Sequence, residues 1–428
     1  MKILLINTDD SMGGAAIACL RLLAVLEHIE GIEVNILVQE KKRNNLNINA
    51  IANSWIQKKL AFTRFALERL YFRFFEKNEQ IRFAFSPANI GIDISEHRLV
   101  QEADIIHLHW INFGFLSINT LEKLFKLNKP IVWTLHDMWA FTGGCHHSGD
   151  CENYQISCGN CNQYLRNPAE NDLSNKVWQR KNTIFKPEFI SKTTIVGCSQ
   201  WLTNRAKKSS LLKDFSVKSI PNPLDTNLFS PQNKAEARQK LGLPINKKLI
   251  LFVAAKVSVI WKGFSYFQES LEILKSKVST GCETHNQDIE LVILGESDEA
   301  TIQKLPFKAH ALGKIFDLQQ IVSVYAAADV FVIPSIQENL PNTIMEAMAC
   351  GTPVVGFEVG GIPEMIEHRE NGFLVKYKST QNFAEGINWV LFEANHAELS
   401  KNARQKVLDN YSEKVVVEQY LEVYRSLI

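Results

Sequence analysis

The chain has 428 residues, of which 46% are hydrophobic and 10% aromatic, with Lys+Arg 47 against Asp+Glu 46. That length exceeds what one hydrophobic core usually supports, so two domains are expected, and the composition excludes a disordered polymer. The balanced charge removes any whole-chain signal for nucleic acid. With no signal-peptide pattern and no apolar run of ~18 residues, a cytoplasmic protein without a membrane span is expected.

Apolar runs of strand length alternate with helical patterns almost throughout, which predicts α/β architecture with parallel sheets. The first run, "KILLIN", is followed by "SMGGAAIACLRLL". Gly13 and Gly14 lie between strand and helix, where small residues let the backbone approach a ligand closely. The loop is not a G-x-G-x-x-G fingerprint and no G-x-x-x-x-G-K-[ST] loop occurs, which argues against dinucleotide enzymes and P-loop ATPases. The strand "EVNILVQ" comes next. Residues 55–85, "WIQKKLAFTRFALERLYFRFFEKNEQIRFAF", then interleave aromatics with Arg and Lys at helical spacing. Such a segment suits an anionic membrane surface or a lipid-linked acceptor, or else an amphipathic helix packed on its own domain.

Further strands are predicted at "ADIIHLHW", "PIVWTLHD" and "TTIVGCS". His107 and His109 are read as alternating across a strand, so that only one of them faces a ligand; neither is assigned. His136 and Asp137 end a buried strand. Between them and the next strand lies "CHHSGDCENYQISCGNC", with Cys145, Cys151, Cys158 and Cys161 inside seventeen residues. Four thiolates so close suit a tetrahedral structural zinc bracing a loop, with His146 or His147 able to replace one Cys. The alternatives are free thiols or two disulfides. The turn-rich "KSIPNPLDTNLFSP" (218–231) is taken as a linker.

A second α/β series follows, with strands "KKLILFVAA", "IELVILGE", "DVFVIPS" and "PVVGFE". The expected domains are 1–220, carrying the Cys-rich loop 145–161, and 221–405. A C-terminal helix, 406–428, is expected to pack back on the first domain. Two doubly wound Rossmann-like domains facing across a cleft would bind ligands at the carboxyl ends of their strands. After the first of these strands, "VAAKVSVIWKGF" supplies Lys256 and Lys262, which could neutralise a departing diphosphate. Gly295 and Ile315 end or follow other strands of this domain and are assigned to the border of a nucleotide base.

The segment "SIQENLPNTIMEAMACGTPVVGFEVGG" (335–361) is the most informative. Pro341 suits a first helical position, since its missing N–H would be unpaired there. The amides of Asn339, Leu340, Pro341's neighbours Asn342 and Thr343, and the helix dipole then form an anion site suited to a phosphate or diphosphate. Glu338 and Glu346 are eight residues apart, roughly 12 Å of helix. Glycosidase carboxyl pairs sit about 5–9.5 Å apart, so two separate contacts along an elongated ligand fit better than one bond-cleaving pair.

E-x7-E behind a strand, with "EAMACGTPVV" and "GGIPEMI", resembles the donor site of retaining glycosyltransferase family 4, of GT-B fold, which includes exopolysaccharide and O-antigen types. The resemblance covers most of the chain and is strongest over 250–375. It implies that Glu346 holds the donor's ribose hydroxyls, that Glu338 contacts hydroxyls of the transferred sugar, and that residues 339–343 hold the diphosphate. It also implies that His136 hydrogen-bonds the reacting sugar and that Gly13-Gly14 face the phosphates and acceptor. The family has an Arg several residues before Lys-Gly; Lys262-Gly263 matches, whereas Lys256 stands near the Arg position at a different spacing and lacks its bidentate fork. Pro223 replaces the glycine of the family's Pro-Asn-Gly turn.

The expected activity is therefore a retaining hexosyl transfer from a nucleotide-diphosphate sugar to a saccharide or lipid-linked acceptor, in cell-surface polysaccharide synthesis, in the cytoplasm or at the inner face of the membrane. No Asp-x-Asp motif occurs, so no catalytic metal is expected. Rival readings are a nucleotide-sugar epimerase or hydrolase of the same fold, or a non-catalytic nucleotide-sugar-binding protein.

Overall fold

A computed structural model describes residues 1–11, 13–281 and 288–428. The chain divides into two compact units, one of Met1–Pro223 with Val416–Ile428, the other of Leu224–Val415. The first unit holds β1 (Lys2–Ile6), β2 (Glu33–Val38), β3 (Ile48–Ala50), β4 (Ile105–Leu108), β5 (Ile131–Leu135), β6 (Thr193–Gly197) and β7 (Ser216–Ser219). They form one sheet in the order β3-β2-β1-β4-β5-β6-β7, every pairing parallel.

Alternate residues of these strands feed two apolar cores, one on each face, which is why the runs read as continuously hydrophobic. Leu4, Ile6, Ile106 and Trp133 enter one core; Ile3, Leu5, Ile36 and Val132 enter the other. The helix Glu413–Arg425 completes the second core with Val416, Val417, Tyr420, Leu421 and Tyr424. The domain limit expected at 405/406 falls inside another helix, His396–Asn410. The chain changes unit at 415/416 instead, where the apolar stripe beginning at Val416 meets the first sheet's core.

The second unit holds β8 (Lys248–Lys256), β9 (Ile289–Glu296), β10 (Ala309–Gly313), β11 (Val330–Ile333), β12 (Val354–Phe357) and β13 (Gly372–Val375), in the order β10-β9-β8-β11-β12-β13. This sheet is parallel as well. The sequence pattern did not single out β3, β7 or β13. All three are edge strands of three or four residues, too short for a period to register.

In each sheet the strand order reverses once, between β1 and β4 and between β8 and β11. Open α/β sheets bind ligands outside the carboxyl ends of their strands at such points. Among the described residues no helix is long and apolar enough to cross a membrane.

Candidate functional site

The second unit's reversal point carries the charged residues. After β11 the chain turns through 334–341 into the helix Asn342–Ala349, with Pro341 at the N-cap (φ −70, ψ 117) and no side-chain cap. Ile344, Met345 and Ala347 through Ala349 of this helix are buried, whereas Asn342, Thr343 and Glu346 are half-exposed. The outward stripe is thus polar and begins at the positive end of the helix dipole. Asn339 and Leu340, just before it, are buried. Glu346 Oε2 accepts a hydrogen bond of 2.8 Å from the Tyr325 hydroxyl, which orients the carboxylate from a neighbouring helix, Leu318–Ala327. Gly351, with φ 78, ends the segment in the left-handed conformation that favours glycine after a helix.

Lys262 Nζ donates to Glu338 Oε1 at 2.5 Å. The lysine follows β8 and the glutamate follows β11, so the pair bridges the two strands flanking the reversal. Two glycines hold it there. Gly263 has φ 69, and a Cβ on it would lie 1.8 Å from the Pro334 carbonyl oxygen. Gly360 has φ 60, and a Cβ on it would lie 1.8 Å from the Glu338 carbonyl oxygen. The Gly361 N–H donates to Asn339 O at 2.8 Å. The glycine pair at 360–361 is therefore a brace for the loop that presents Glu338.

Lys256 does not share that carboxylate. It ends β8 and pairs with Glu296 at 3.5 Å, and Glu296 also receives Lys314 at 2.5 Å. Gly295 turns toward β8: a Cβ there would lie 1.6 Å from the Ala254 carbonyl oxygen. Its glycine is demanded by this approach of two backbones. Ile315, just after β10, is half-buried.

In the first unit, His136 follows β5 directly. Its Nε2 lies 3.0 Å from His109 Nδ1, and His107 Nδ1 and Nε2 contact the Tyr424 hydroxyl at 2.7 Å and Thr134 Oγ1 at 2.8 Å. His107 and His109 were expected on opposite sides of their strand. They lie on the same side, ring centroids 4.3 Å apart, because residues two apart share a face. Burial lowers His107 to about 3 and His136 to about 4, and pushes His109 well below the ordinary histidine range. All three imidazoles are neutral near pH 7.

Asp137 accepts from Trp110 Nε1 at 2.8 Å, His146 Nδ1 at 2.7 Å and the Trp139 amide at 2.8 Å. Burial alone would raise its pKa, but His146 and these donors outweigh it and hold the carboxyl at about 2. Lys181, fully buried, donates to the carbonyls of Trp139 and Thr142 and lies 3.6 Å from the Trp139 ring centroid. The loop after His136 is therefore pinned from within. Gly13, with φ 89, is the N-cap of the helix Gly14–Leu26, and a Cβ there would meet nothing within 4 Å.

The zinc shell expected of Cys145, Cys151, Cys158 and Cys161 is not assembled. Among the described residues no three His, Cys, Asp or Glu groups are placed to hold a metal ion, and all four cysteines are free thiols. Cys145 and Cys158 are buried and Cys151 is exposed. Burial pushes the Cys158 thiol up to about 12 and Cys161 to about 11. His146 is engaged with Asp137 and, at 3.1 Å, Ser86.

Sequence patterns did not reveal Tyr325, Lys181, His109 or the bracing role of Gly360. Gly263 and Gly360 were visible, but not the carbonyls of Pro334 and Glu338 that they clear.

A sequence profile described as Glycosyl transferases group 1 matches residues 233–406. An uncharacterized glycosyltransferase of Methanocaldococcus jannaschii is 32% identical over 362 residues, covering 78% of this chain and 88% of that protein. The N,N'-diacetylbacillosaminyl-diphospho-undecaprenol alpha-1,3-N-acetylgalactosaminyltransferase of Campylobacter jejuni is 32% identical over 194 residues. The match there covers 44% of this chain and 47% of the relative, so the chain spans about half of that relative's length. Among solved structures, sucrose-phosphate synthase from Thermosynechococcus elongatus aligns over 100% of this chain and 98% of its own, with TM-score 0.66 and 19% identity. Anabaena HepE in complex with UDP aligns over 100% of both, with TM-score 0.63 and 18% identity. At these identities the structures speak for the fold alone.

Proposed function

The chain belongs to the group 1 glycosyl transferases and has the GT-B fold, and on that premise we propose a specific reaction. It is a cytoplasmic, family 4 enzyme moving a hexosyl group, with retained anomeric configuration, from a nucleoside-diphosphate sugar to a saccharide or lipid-linked acceptor in polysaccharide synthesis. The observation that carries this reading is the Lys262–Glu338 pair at the β8/β11 reversal, beside the start of the helix at Asn342.

Support comes from an ammonium that follows β8 and a helix N-terminus that follows β11, on the two strands flanking the reversal, where an anion is favoured. When a sugar leaves a nucleoside diphosphate, negative charge grows on the departing phosphate oxygen, and fixed positive groups stabilise that change most. Lys262 takes this role, with the N–H groups of Asn339, Leu340, Asn342 and Thr343 holding the phosphates and Lys256 adding weaker, more solvated support. Glu338, fixed by Lys262 and by Gly360, accepts hydrogen bonds from hydroxyls of the transferred sugar. Glu346, oriented by Tyr325, receives the ribose hydroxyls. His136 is neutral, so it hydrogen-bonds a sugar hydroxyl without adding charge, and the helix capped by Gly13 serves phosphate or acceptor.

The bond from the anomeric carbon to the phosphate oxygen breaks while the bond to the acceptor oxygen forms on the same face. The acceptor's proton passes to the departing phosphate oxygen. Support for the lipid-linked acceptor comes from the Campylobacter relative, whose name specifies a diphospho-undecaprenol substrate. Support for the donor class comes from HepE, solved with UDP-glucose.

Thermal-shift screening against UDP-, GDP- and ADP-sugars, followed by product analysis with and without acceptor, tests the reading. Stabilisation by one nucleotide sugar and acceptor-dependent transfer are expected. Turnover without acceptor would favour an epimerase or hydrolase, and binding without turnover a non-catalytic protein.

A further inference from the structure

The helix Trp55–Arg73 is built inside out. Its start is fixed by a capping box between Ser54 and Gln57. The side facing its own unit carries Ala61, Phe72 and a buried ion pair, Glu68–Arg69, at 2.8 Å. The opposite side carries Ile56, Leu60, Leu67, Leu70 and, one residue beyond the helix, Phe74, all exposed. These fall at i, i+4, i+11, i+14 and i+18, which at helical pitch is one stripe about 80° wide. Tyr71 borders it, and Trp55 and Phe62 add flanking aromatics 67% and 66% exposed; Phe74 itself is 72% exposed. Isolated exposed apolar residues are ordinary, but an apolar stripe this long marks an interaction surface.

Charge identifies what covers it. Residues 55–78 contain two acids, Glu68 and Glu76, and both are buried and paired with arginines, Arg69 and Arg82. Lys59, Arg73 and Lys77 are exposed around the stripe. Lys59 Nζ lies 3.7 Å from the Trp55 ring centroid, which holds the indole beside a cation. At the helix's C-terminal end, a notch of about 490 Å³ is lined by Leu70, Phe74, Arg73, Arg82 and Arg166, with Glu76 and Glu79 engaging Arg82. Between residues 55 and 82 the one exposed acid, Glu79, lies 3.6 Å from Arg82, so a second copy of this face would set cations chiefly against cations.

We propose that this face lies in the interface of an anionic lipid bilayer, with the apolar stripe among the acyl chains and the cations at the headgroups. Leu67, Leu70 and Phe74 enter the membrane. Lys59, Arg73 and Lys77 meet lipid phosphates, and the arginine-lined notch takes one headgroup. This deepens the glycosyl-transfer reading by placing the enzyme where a lipid-linked acceptor resides, yet the surface stands on its own geometry.

The test is co-sedimentation of the full chain with vesicles of phosphatidylcholine alone and of phosphatidylcholine with phosphatidylglycerol, at low and high salt. Binding only to the anionic vesicles, weakened by salt, is expected. The triple variant Lys59→Glu, Arg73→Glu, Lys77→Glu should bind on the order of 100-fold more weakly. The variant Leu67→Ser, Leu70→Ser, Phe74→Ser should also lose binding. Because all six side chains are exposed, both variants should melt as the parent does and keep the nucleotide-sugar thermal shift. That shift reports the donor site independently, so failure here and failure of the transferase reading remain separable. Equal binding to both vesicle types, no binding to either, or unchanged binding by both variants would overturn the proposal. So would a dimer of the parent chain that the serine variant dissociates.

Discussion

The carboxyl ends of the two sheets occupy the same topological position but are built from opposite chemistry. In the second unit the strands around the reversal are bridged by an ion pair, Lys262–Glu338, and by further charges, Lys256, Glu296 and Lys314. In the first unit the strand ends carry His107 and His109, both buried, and the half-buried His136, whose ring stacks on His109; all three are neutral. The carboxylate next to His136, Asp137, is engaged by Trp110, His146 and Trp139. The difference is one of chemistry: one set of strand ends carries charge, the other neutral hydrogen-bonding groups. On the proposed reaction, a departing polyanion is stabilised by fixed charge nearby, whereas uncharged hydroxyls are oriented by neutral partners that contribute no stray field.

The sharpest way to break this contrast is Lys262→Ala. If the charge acts on the leaving diphosphate, turnover should fall about 10²–10³-fold, while circular dichroism and melting stay near those of the parent. Near-normal turnover would remove the role. Next in size is Gly360→Ala. A methyl 1.8 Å from the Glu338 carbonyl at φ 60 should cost roughly 2–4 kcal/mol, seen as a lower melting temperature together with weaker donor-induced stabilisation.

The neutral side is probed by acid. His136 titrates at about 4 in the fold, below the ordinary 6.5, so the unfolded chain binds its proton first as pH falls. Stability from this group is intact above pH 6.5 and declines between 6.5 and 4, by ~1–2 kcal/mol at pH 5. Urea titrations at pH 7 and pH 5 should show the loss, reduced in His136→Gln. An unchanged pH dependence in that variant would assign the acid sensitivity elsewhere. The smallest effect is expected from Lys256→Ala. Its pair with Glu296 is half-exposed, so stability should change by less than about 0.5 kcal/mol, with donor affinity dropping only a few-fold.

Much of this molecule was legible before any coordinates. Continuous apolar runs such as "VFVI" and "IVWTL" mark strands buried on both faces, and their alternation with helical periods dictates two parallel sheets. The spacing of Glu338 and Glu346 around Pro341 placed one carboxylate on a strand-end loop and the other inside the helix, because proline and helix geometry act locally. Gly351-Thr352-Pro353 marked the helix end for the same reason.

What the sequence could not specify are meetings between distant segments. Lys262 and Glu338 are 76 residues apart, and Tyr325 reaches Glu346 across 21. The tail helix returns from residue 416 to close the first core. The cysteine spacing suggested a metal shell, but the fold buries two thiols and exposes a third. In the helix at 55–73, periodicity showed two unlike faces, and only packing revealed that the apolar one points outward. Local pattern records which residues avoid water; which partners they then find depends on strand register and on the close approaches that particular glycines permit.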